Sequence, residues 1–454
     1  MKSLFLFFLL LFIVKHFQCN YLMYSFIQNK YDNFVKPSEI ISELISLEFY
    51  TNITIAEPPQ TIKSYIDFTK FHFYISNVSS NREYLLENSK SFYSKYDHDI
   101  ILYTYSFVSG KYANETLFLD LNYLNASSPH KLLQIKNFTF SMPSVYSITN
   151  RKMYPSSIGL GFYAHNSNTK LNFLTQLVEK GVLNNSYFFI DFDDDFSGKL
   201  YLGVLPHDIY PKKFSLDNFY KVYTNIDNIL DEWSFRGDLI YNYNNNHYNM
   251  NNSIYKVNMK LVLDLNLNGL ILDYSYFSIF NKTFFHDYLN DGICKIEKEE
   301  YYYLYCEKGK ININKFKTIY FYQKEFNYTF NFDYKDLFVV KNNYIIFNIF
   351  FDVNGFDRLL HVGKIIFRKY LLAFNYENKM IGFYKENNNK NGLIIEENNN
   401  HRELIQICGI IFGGIVLISL IIIFIRNFCG NKGRKIRKNE LDDNYDYSIQ
   451  NNDE

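Results

Sequence analysis

Apolar and polar residues alternate along most of the chain between residue 20 and about residue 385. Aromatic and β-branched side chains are interleaved with polar ones in short runs, as in residues 71–75 and 316–322. A period of two predicts half-buried β-strands. Residues 171–180 instead place Leu174, Leu177 and Val178 at helical spacing and are followed by Gly181, which predicts one short helix. The pattern therefore predicts a mainly β protein.

The two ends of the chain have a different pattern. Residues 1–19 combine Lys2 with an apolar run too short to cross a bilayer, which is typical of a secretory signal peptide. Residues 404–425 are apolar and uncharged over a length that spans ~30 Å of hydrocarbon, which predicts a transmembrane helix. Basic residues dominate the start of the tail, 426–454, so we expect a type I orientation with the large segment luminal or extracellular. Residues 386–403 form a polar stalk in this scheme.

Charge and motif content exclude several function classes. The formal net charge is +0, and no basic stripe marks the large segment, so nucleic acid is not an expected partner. The sequence contains no H-E-x-x-H, no C-x-x-C and no phosphate-binding glycine loop, so we expect no metal and no cofactor. The acidic run 193–195 could bind calcium, but a solvated hairpin tip is the favoured interpretation.

Cysteine and sequon positions fit the secretory pathway. The chain has five cysteines; Cys19 lies in the signal, and Cys408 and Cys429 lie in or beside the apolar span. Cys294 and Cys306 remain, which predicts one disulfide in an oxidising compartment. Sequons for N-glycosylation occur at Asn52, Asn77, Asn114, Asn125, Asn137, Asn184, Asn251, Asn281 and Asn327.

Two segments place an aspartate after an apolar strand. The first, residues 50–69, contains A-E-P-P-Q and ends in Asp67-Phe68-Thr69; the second, L-V-L-D-L-N-L-N-G, contains Asp264. Y-T-Y-S-F-V-S-G, S-S-I-G-L-G, S-G-K-L-Y-L-G and the closing segment 361–383 follow in a set order. Together these segments resemble the pepsin-like aspartic protease family, over nearly all of residues 20–385. The resemblance implies a bilobal acid protease fold with lobes 20–206 and 207–385, a catalytic pair Asp67 and Asp264, and a flap tyrosine, Tyr103.

The same resemblance implies that catalysis is impaired. The family has Asp-Thr-Gly in each lobe, whereas this chain has Phe68-Thr69 and Leu265-Asn266 after the aspartates. Apolar Phe68 and Leu265 predict a packed seam in place of a wet cleft. We therefore expect a membrane-anchored pseudoprotease of the secretory pathway or cell surface that binds a protein or peptide. An atypical membrane-anchored aspartic endopeptidase and a structural subunit of a surface complex remain as alternatives.

Overall fold

The computed structural model describes eleven stretches of the chain, and all structural statements below concern these residues. They are 21–29, 36–69, 71–76, 84–101, 107–120, 132–143, 156–162, 172–224, 232–245, 250–355 and 358–384.

Strands dominate the described residues, as the alternating pattern predicts. In chain order they are β1 Leu22–Gln28, β2 Phe49–Ile55, β3 Gln60–Asp67, β4 Tyr74–Ile75, β5 Tyr93–Ile101, β6 Phe107–Asp120, β7 Leu132–Pro143, β8 Ser156–Gly159, β9 Tyr187–Phe192, β10 Ser197–Leu202, β11 Phe219–Tyr223, β12 Ser234–Asn245, β13 Met250–Leu263, β14 Leu270–Asp273, β15 Cys294–Lys298, β16 Tyr302–Glu307, β17 Ile319–Gln323, β18 Tyr328–Phe332, β19 Phe338–Lys341, β20 Tyr344–Phe347, β21 Ile349–Asp352, β22 Leu359–Val362, β23 Ala373–Asn375 and β24 Met380–Tyr384. In β17, for example, Ile319, Phe321 and Gln323 are buried and the residues between them are half-buried.

The helices are short. They are α1 Pro37–Ile45, α2 Phe173–Glu179, α3 Pro206–Ile209, α4 Phe277–Phe280, α5 His286–Asn290, α6 Tyr334–Leu337 and α7 Lys364–Lys369, with a π turn at Asn281–Phe285 between α4 and α5. Helix α2 is the one predicted from the sequence. The side chain of Asn172 caps it by accepting from the Thr175 amide at 3.0 Å, and Gly181 follows it with a φ of 68°.

Two sheets contain the strands. The first has 13 strands in the order β11-β24-β23-β9-β10-β1-β2-β3-β8-β4-β7-β6-β5, and the second has 11 strands built mainly around β12, β13, β14, β16 and β22. Strands β23 and β24 come from the end of the described chain yet pair with β9 and β11 in the first sheet. The chain therefore returns to its first sheet after completing the second.

One apolar core extends across both sheets. Buried residues from the first sheet, such as Phe188 and Leu200, belong to the same cluster as Trp233, Leu261 and Leu360 of the second. Trp233, the single tryptophan, is fully buried. The region between the sheets is thus continuous packed interior.

The structure also bears on the segments predicted at the C-terminus. Among the described residues, no helix combines the length and the apolar character needed to cross a bilayer. The predicted span at 404–425, like the signal at 1–19, the stalk at 386–403 and the tail at 426–454, lies outside the described residues.

Candidate functional site

The first of the two singled-out aspartates lies at the end of β3 in a closed turn. We call residues 67–69 the first turn. The Asp67 Oδ1 accepts from the Thr69 amide at 2.9 Å and from the Thr69 hydroxyl at 2.6 Å. An aspartate that bonds the backbone two residues ahead stabilises a tight turn locally. Asp67 is buried, with 4% of its surface exposed, and Thr69 therefore solvates a carboxylate oxygen that water does not reach freely.

The second aspartate follows β13 in a turn of the same type. In this second turn, residues 264–266, the Asn266 amide donates to Asp264 Oδ1 at 2.9 Å. Both Thr69 and Asn266 have negative φ, so neither needs the freedom of a glycine. The sequences Asp67-Phe68-Thr69 and Asp264-Leu265-Asn266 therefore form matching turns, although neither contains the glycine of the Asp-Thr-Gly motif.

The Asn266 side chain joins the second turn to the first sheet. Its Oδ1 accepts from the Phe68 amide at 3.1 Å, and its Nδ2 donates to the carbonyl oxygens of Ile66 at 3.2 Å and Leu47 at 3.1 Å. The Asn266 carbonyl also accepts from the Leu47 amide at 2.6 Å. We call this set of hydrogen bonds the Asn266 bridge. In it, one amide side chain satisfies backbone groups of Ile66, directly before the first turn, of Phe68, within that turn, and of Leu47, before β2.

Phe68 points into the apolar core between the sheets. Its ring packs edge-on against three other phenylalanines, with centroid distances of 5.8 Å to Phe188, 5.0 Å to Phe367 and 5.4 Å to Phe374. Phe68 is 2% exposed and Leu265, its counterpart in the second turn, is 0% exposed. The packed seam expected from these two residues is therefore present.

Trp233 provides a second connection between the sheets. Its Nε1 donates to the Leu160 carbonyl oxygen at 2.8 Å, and the Leu160 amide donates to the Asp67 carbonyl oxygen at 2.8 Å. Trp233 precedes β12 in the second sheet, while Leu160 follows β8 in the first. These two hydrogen bonds connect Trp233, through Leu160, to the backbone of Asp67 in the first turn.

The segment that directly follows the second turn, residues 267–269, is held by close backbone contacts. The Gly363 amide donates to the Gly269 carbonyl oxygen at 2.8 Å, and the Lys364 amide donates to the Leu267 carbonyl oxygen at 2.6 Å. A Cβ at Gly363 would lie 2.1 Å from the Leu267 carbonyl oxygen. Glycine is therefore required here by close backbone approach.

Lys364, the first residue of α7, buries its amine against the first sheet. Its Nζ donates to the Gln28 Oε1 and to the Asp195 carbonyl oxygen, each at 3.0 Å. Burial, with a further contribution from the nearby Arg368 charge, lowers the pKa of Lys364 to about 8. Sequence reasoning missed this contact, because a lysine on a short amphipathic helix gives no signal that its amine is buried.

The acidic run at the β9–β10 turn has protein partners. Asp194 Oδ1 accepts from the amides of Phe196 and Ser197, Asp193 lies 3.6 Å from the Lys199 amine, and Asp195 pairs with Arg368 at 2.6 Å. Within the described stretches, no group of three or more His, Cys, Asp or Glu residues could hold a metal ion. The run acts as a turn and ion-pair site.

The remaining predicted site residues are the cysteine pair, the flap tyrosine and the sequon asparagines. Cys294 and Cys306 are joined in a disulfide between β15 and β16. Tyr103 lies outside the described residues, as do Asn77 and Asn125, and the side chain of Asn251 is not described. Among the described sequon asparagines, Asn52, Asn137, Asn184 and Asn327 are exposed, whereas Asn114 and Asn281 are half-buried.

The fold resembles that of plant globulins. The crystal structure of basic 7S globulin from soybean matches with a TM-score of 0.56 and 14% identity, covering 83% of this chain and 97% of the globulin. The crystal structure of conglutin gamma, a basic 7S globulin from lupine seeds, matches with a TM-score of 0.57 and 12% identity, covering 82% and 96%. No family model and no curated protein matches the sequence. At these identities the likeness establishes the fold alone.

These matches correct the assignment drawn from the sequence. The expectation of a bilobal pepsin-like acid protease fold is wrong as stated, because the two solved structures named above, which resemble the chain, are basic 7S globulins. The expected functions, a membrane-anchored pseudoprotease or an aspartic endopeptidase, are corrected by the same finding. The described residues include no helix that could cross a membrane. The motifs named in the sequence analysis are short strand-and-turn segments. Such segments are determined by local backbone structure, and local structure does not specify a function. In this chain the residues around Asp67 and Asp264 form turns, hydrogen bonds and core packing.

Proposed function

We propose that this protein is a non-enzymatic globulin of the secretory pathway, in which the first and second turns connect the two sheets. The Asn266 bridge is the observation that carries the proposal. One side chain of the second turn bonds Phe68, Ile66 and Leu47 around the first turn. A side chain that satisfies several buried backbone groups serves the folded state directly, since each such group is costly to leave unpaired.

Phe68 supports the same interpretation. A group that takes part in chemistry must reach substrate, whereas Phe68 is enclosed by Phe188, Phe367 and Phe374. Asp67, next in the chain, is 4% exposed and accepts twice from Thr69. The turn is built for packing and hydrogen bonding.

The proposed compartment has separate support. Cys294 and Cys306 form a disulfide, and disulfides persist in oxidising compartments. The apolar segment at 1–19 has the composition of a secretory signal. The word "basic" in the names of the matched globulins does not describe this chain, whose formal net charge is +0. From the names of the matched proteins we therefore propose for this chain only that it is a globulin.

The test of the non-enzymatic role uses the purified secreted chain and two variants. Asp67→Ala removes the acceptor of the Thr69 bonds, and Asp217→Asn changes an exposed aspartate as the control. We expect no peptide turnover above blank between pH 3 and pH 8 for any of the three proteins. We also expect a lower melting temperature for Asp67→Ala alone. Saturable turnover by the wild-type chain, lost in a folded Asp67→Asn variant, would contradict the proposal.

The compartment is tested by thiol mapping. Secreted protein alkylated without reduction should yield the peptides of Cys294 and Cys306 linked to each other. Free thiols at both positions in freshly secreted, folded protein would contradict the proposed oxidising environment.

A further inference from the structure

The sequon asparagines differ in exposure and also in the hydrogen bonds around them, and Asn327 is an exposed example. Asn327 lies in the turn between β17 and β18, exposed and with a φ of 49°. The Tyr322 hydroxyl donates to its Oδ1 at 3.0 Å. Thr329, the hydroxyl residue of the same sequon, is exposed in β18, while Tyr328 between them is buried. Both residues that a glycosyltransferase must recognise therefore stay on the surface after folding.

Attachment of a sugar preserves the contact that Asn327 already makes. Glycosylation replaces one N–H of Nδ2 with a bond to a sugar and leaves Oδ1 unchanged as an acceptor. The Tyr322 hydroxyl can therefore continue to donate to Oδ1 in the glycosylated protein. The folded turn accommodates the modification without loss of a described hydrogen bond.

Asn281 offers the opposite environment. It lies in the π turn between α4 and α5, and its Oδ1 is buried without a hydrogen-bond partner among the described residues. The hydroxyl of its sequon partner, Thr283, donates to the Ile279 carbonyl oxygen at 2.6 Å. Asn281 is half-buried, and the amide that would carry the sugar has its oxygen enclosed by protein. A sugar on Nδ2 is attached one bond from this enclosed oxygen, so we expect a chain glycosylated here to fold less well.

From this contrast we propose that Asn327 is an N-glycosylation site of the folded protein and that Asn281 is not. The proposal rests on the secretory location proposed above. The donor is an oligosaccharide linked through a diphosphate to a lipid. Asn327 Nδ2 forms a bond to C1 of the first N-acetylglucosamine, the bond from C1 to the diphosphate oxygen breaks, the lipid diphosphate leaves with the electron pair, and the amide loses one proton.

The experiment is glycopeptide mapping of the full chain secreted from a eukaryotic host. We expect the N-acetylhexosamine mass on most copies of Asn327 and on fewer than about one in ten copies of Asn281. Thr329→Ala should remove one glycan step on a gel, and Thr329→Ser should retain it. Thr283→Ala, the matched control, should leave the number of steps unchanged.

Two results would overturn the proposal. One is occupancy of Asn281 equal to that of Asn327 in folded, secreted protein. The other is an unmodified Asn327, whether or not further sequons are occupied. The state of the two cysteines shows whether an unmodified Asn327 counts against the site or against the secretory location. If Asn327 is unmodified and the Cys294–Cys306 disulfide is formed, only the proposed site is rejected. If Asn327 is unmodified and both thiols are free, the secretory location is rejected as well.

Discussion

The first and second turns close in the same way but differ in how far their side chains reach. In each turn the residue two positions after the aspartate donates its amide to the aspartate Oδ1 at 2.9 Å. Thr69 then directs its hydroxyl back to Asp67, so the first turn closes on itself. Asn266 instead directs its side chain to Phe68, Ile66 and Leu47. The difference shows that the side chain connecting the two sheets comes from the second turn, and that its partners include backbone groups in and next to the first turn.

The residue between the two polar positions differs as well. Phe68 packs its ring against three other rings, whereas Leu265 fills the equivalent buried position with a smaller side chain. The first turn therefore contributes aromatic packing to the junction, and the second contributes hydrogen bonds. Substitutions that remove one contribution at a time separate the two.

The largest expected effect comes from Phe68→Ala. Removal of a fully buried phenylalanine costs about 3–5 kcal/mol, because contacts and apolar burial are lost and a cavity remains. Leu265→Ala should cost less than Phe68→Ala, since fewer atoms are removed. Denaturant unfolding monitored by Trp233 fluorescence gives both values. Tyr223→Ala, at a residue that is 74% exposed, should change the free energy of unfolding by less than ~0.5 kcal/mol. A smaller effect for Phe68 than for Leu265 would contradict the assigned packing role.

Asn266→Ala should have the next largest effect. It leaves the Phe68 amide and the Ile66 and Leu47 carbonyl groups without this partner, and unpaired buried groups cost about 1–3 kcal/mol each. With partial relaxation we expect a total of about 2–3 kcal/mol in the free energy of unfolding. Asn258→Ala, which removes an exposed bond to Asp238, should be nearly neutral. Equal stability of the two variants would mean that the Asn266 bridge contributes nothing.

Thr69→Val should have a smaller effect, confined to the first turn. It removes one hydrogen bond to a buried carboxylate and keeps the β-branched shape, which corresponds to about 1–2 kcal/mol. Thr69→Ser should restore most of the loss. If Thr69→Val destabilised the protein as much as Asn266→Ala, the distinction between a self-contained turn and a bridging turn would fail.

The smallest expected effect is a pH dependence from Lys364. Its folded pKa is lowered to about 8 from an ordinary value of 10.5, so the unfolded chain holds this proton more tightly than the folded one. Stability from this group therefore rises as pH rises from about 8 toward 10.5. The gain between pH 7 and pH 9 is about 1 kcal/mol. The slope should disappear in Lys364→Met and persist in Lys256→Met, whose amine lies on an exposed side chain. An unchanged slope in Lys364→Met would exclude Lys364 as its source.

The sequence predicts the secondary structure of this protein well because burial alternates with a period of two. Strands such as β2 and β17 alternate buried and more exposed residues along their length, and helix α2 has its apolar residues at helical spacing. These are local properties, and local patterns specify strands and helices directly. The large-scale assignment from the same segments was wrong, since short motifs do not specify what a fold is used for.

The candidate site could be predicted only in part. The burial of Phe68 and Leu265 followed from their apolar side chains at the two turns. The Asn266 bridge could not be predicted, because its partners Ile66 and Leu47 are about two hundred positions away in the chain. The Thr69 hydroxyl bond had a signal in the D-x-T spacing, which favours a turn stabilised by the aspartate. The burial of Lys364 depends on Gln28 and Asp195, which only the folded chain brings together.

The most direct test of the central claim is amide hydrogen exchange at Phe68, measured at single-residue resolution. Its N–H donates to Asn266 Oδ1 across the junction of the two sheets. Our account predicts slow exchange at Phe68 in the wild-type protein and in Thr69→Val, and exchange at least tenfold faster in Asn266→Ala under conditions where all three remain folded. Fast exchange at Phe68 in the wild type, or the same slow exchange in Asn266→Ala, would contradict the claim that the second turn holds the first.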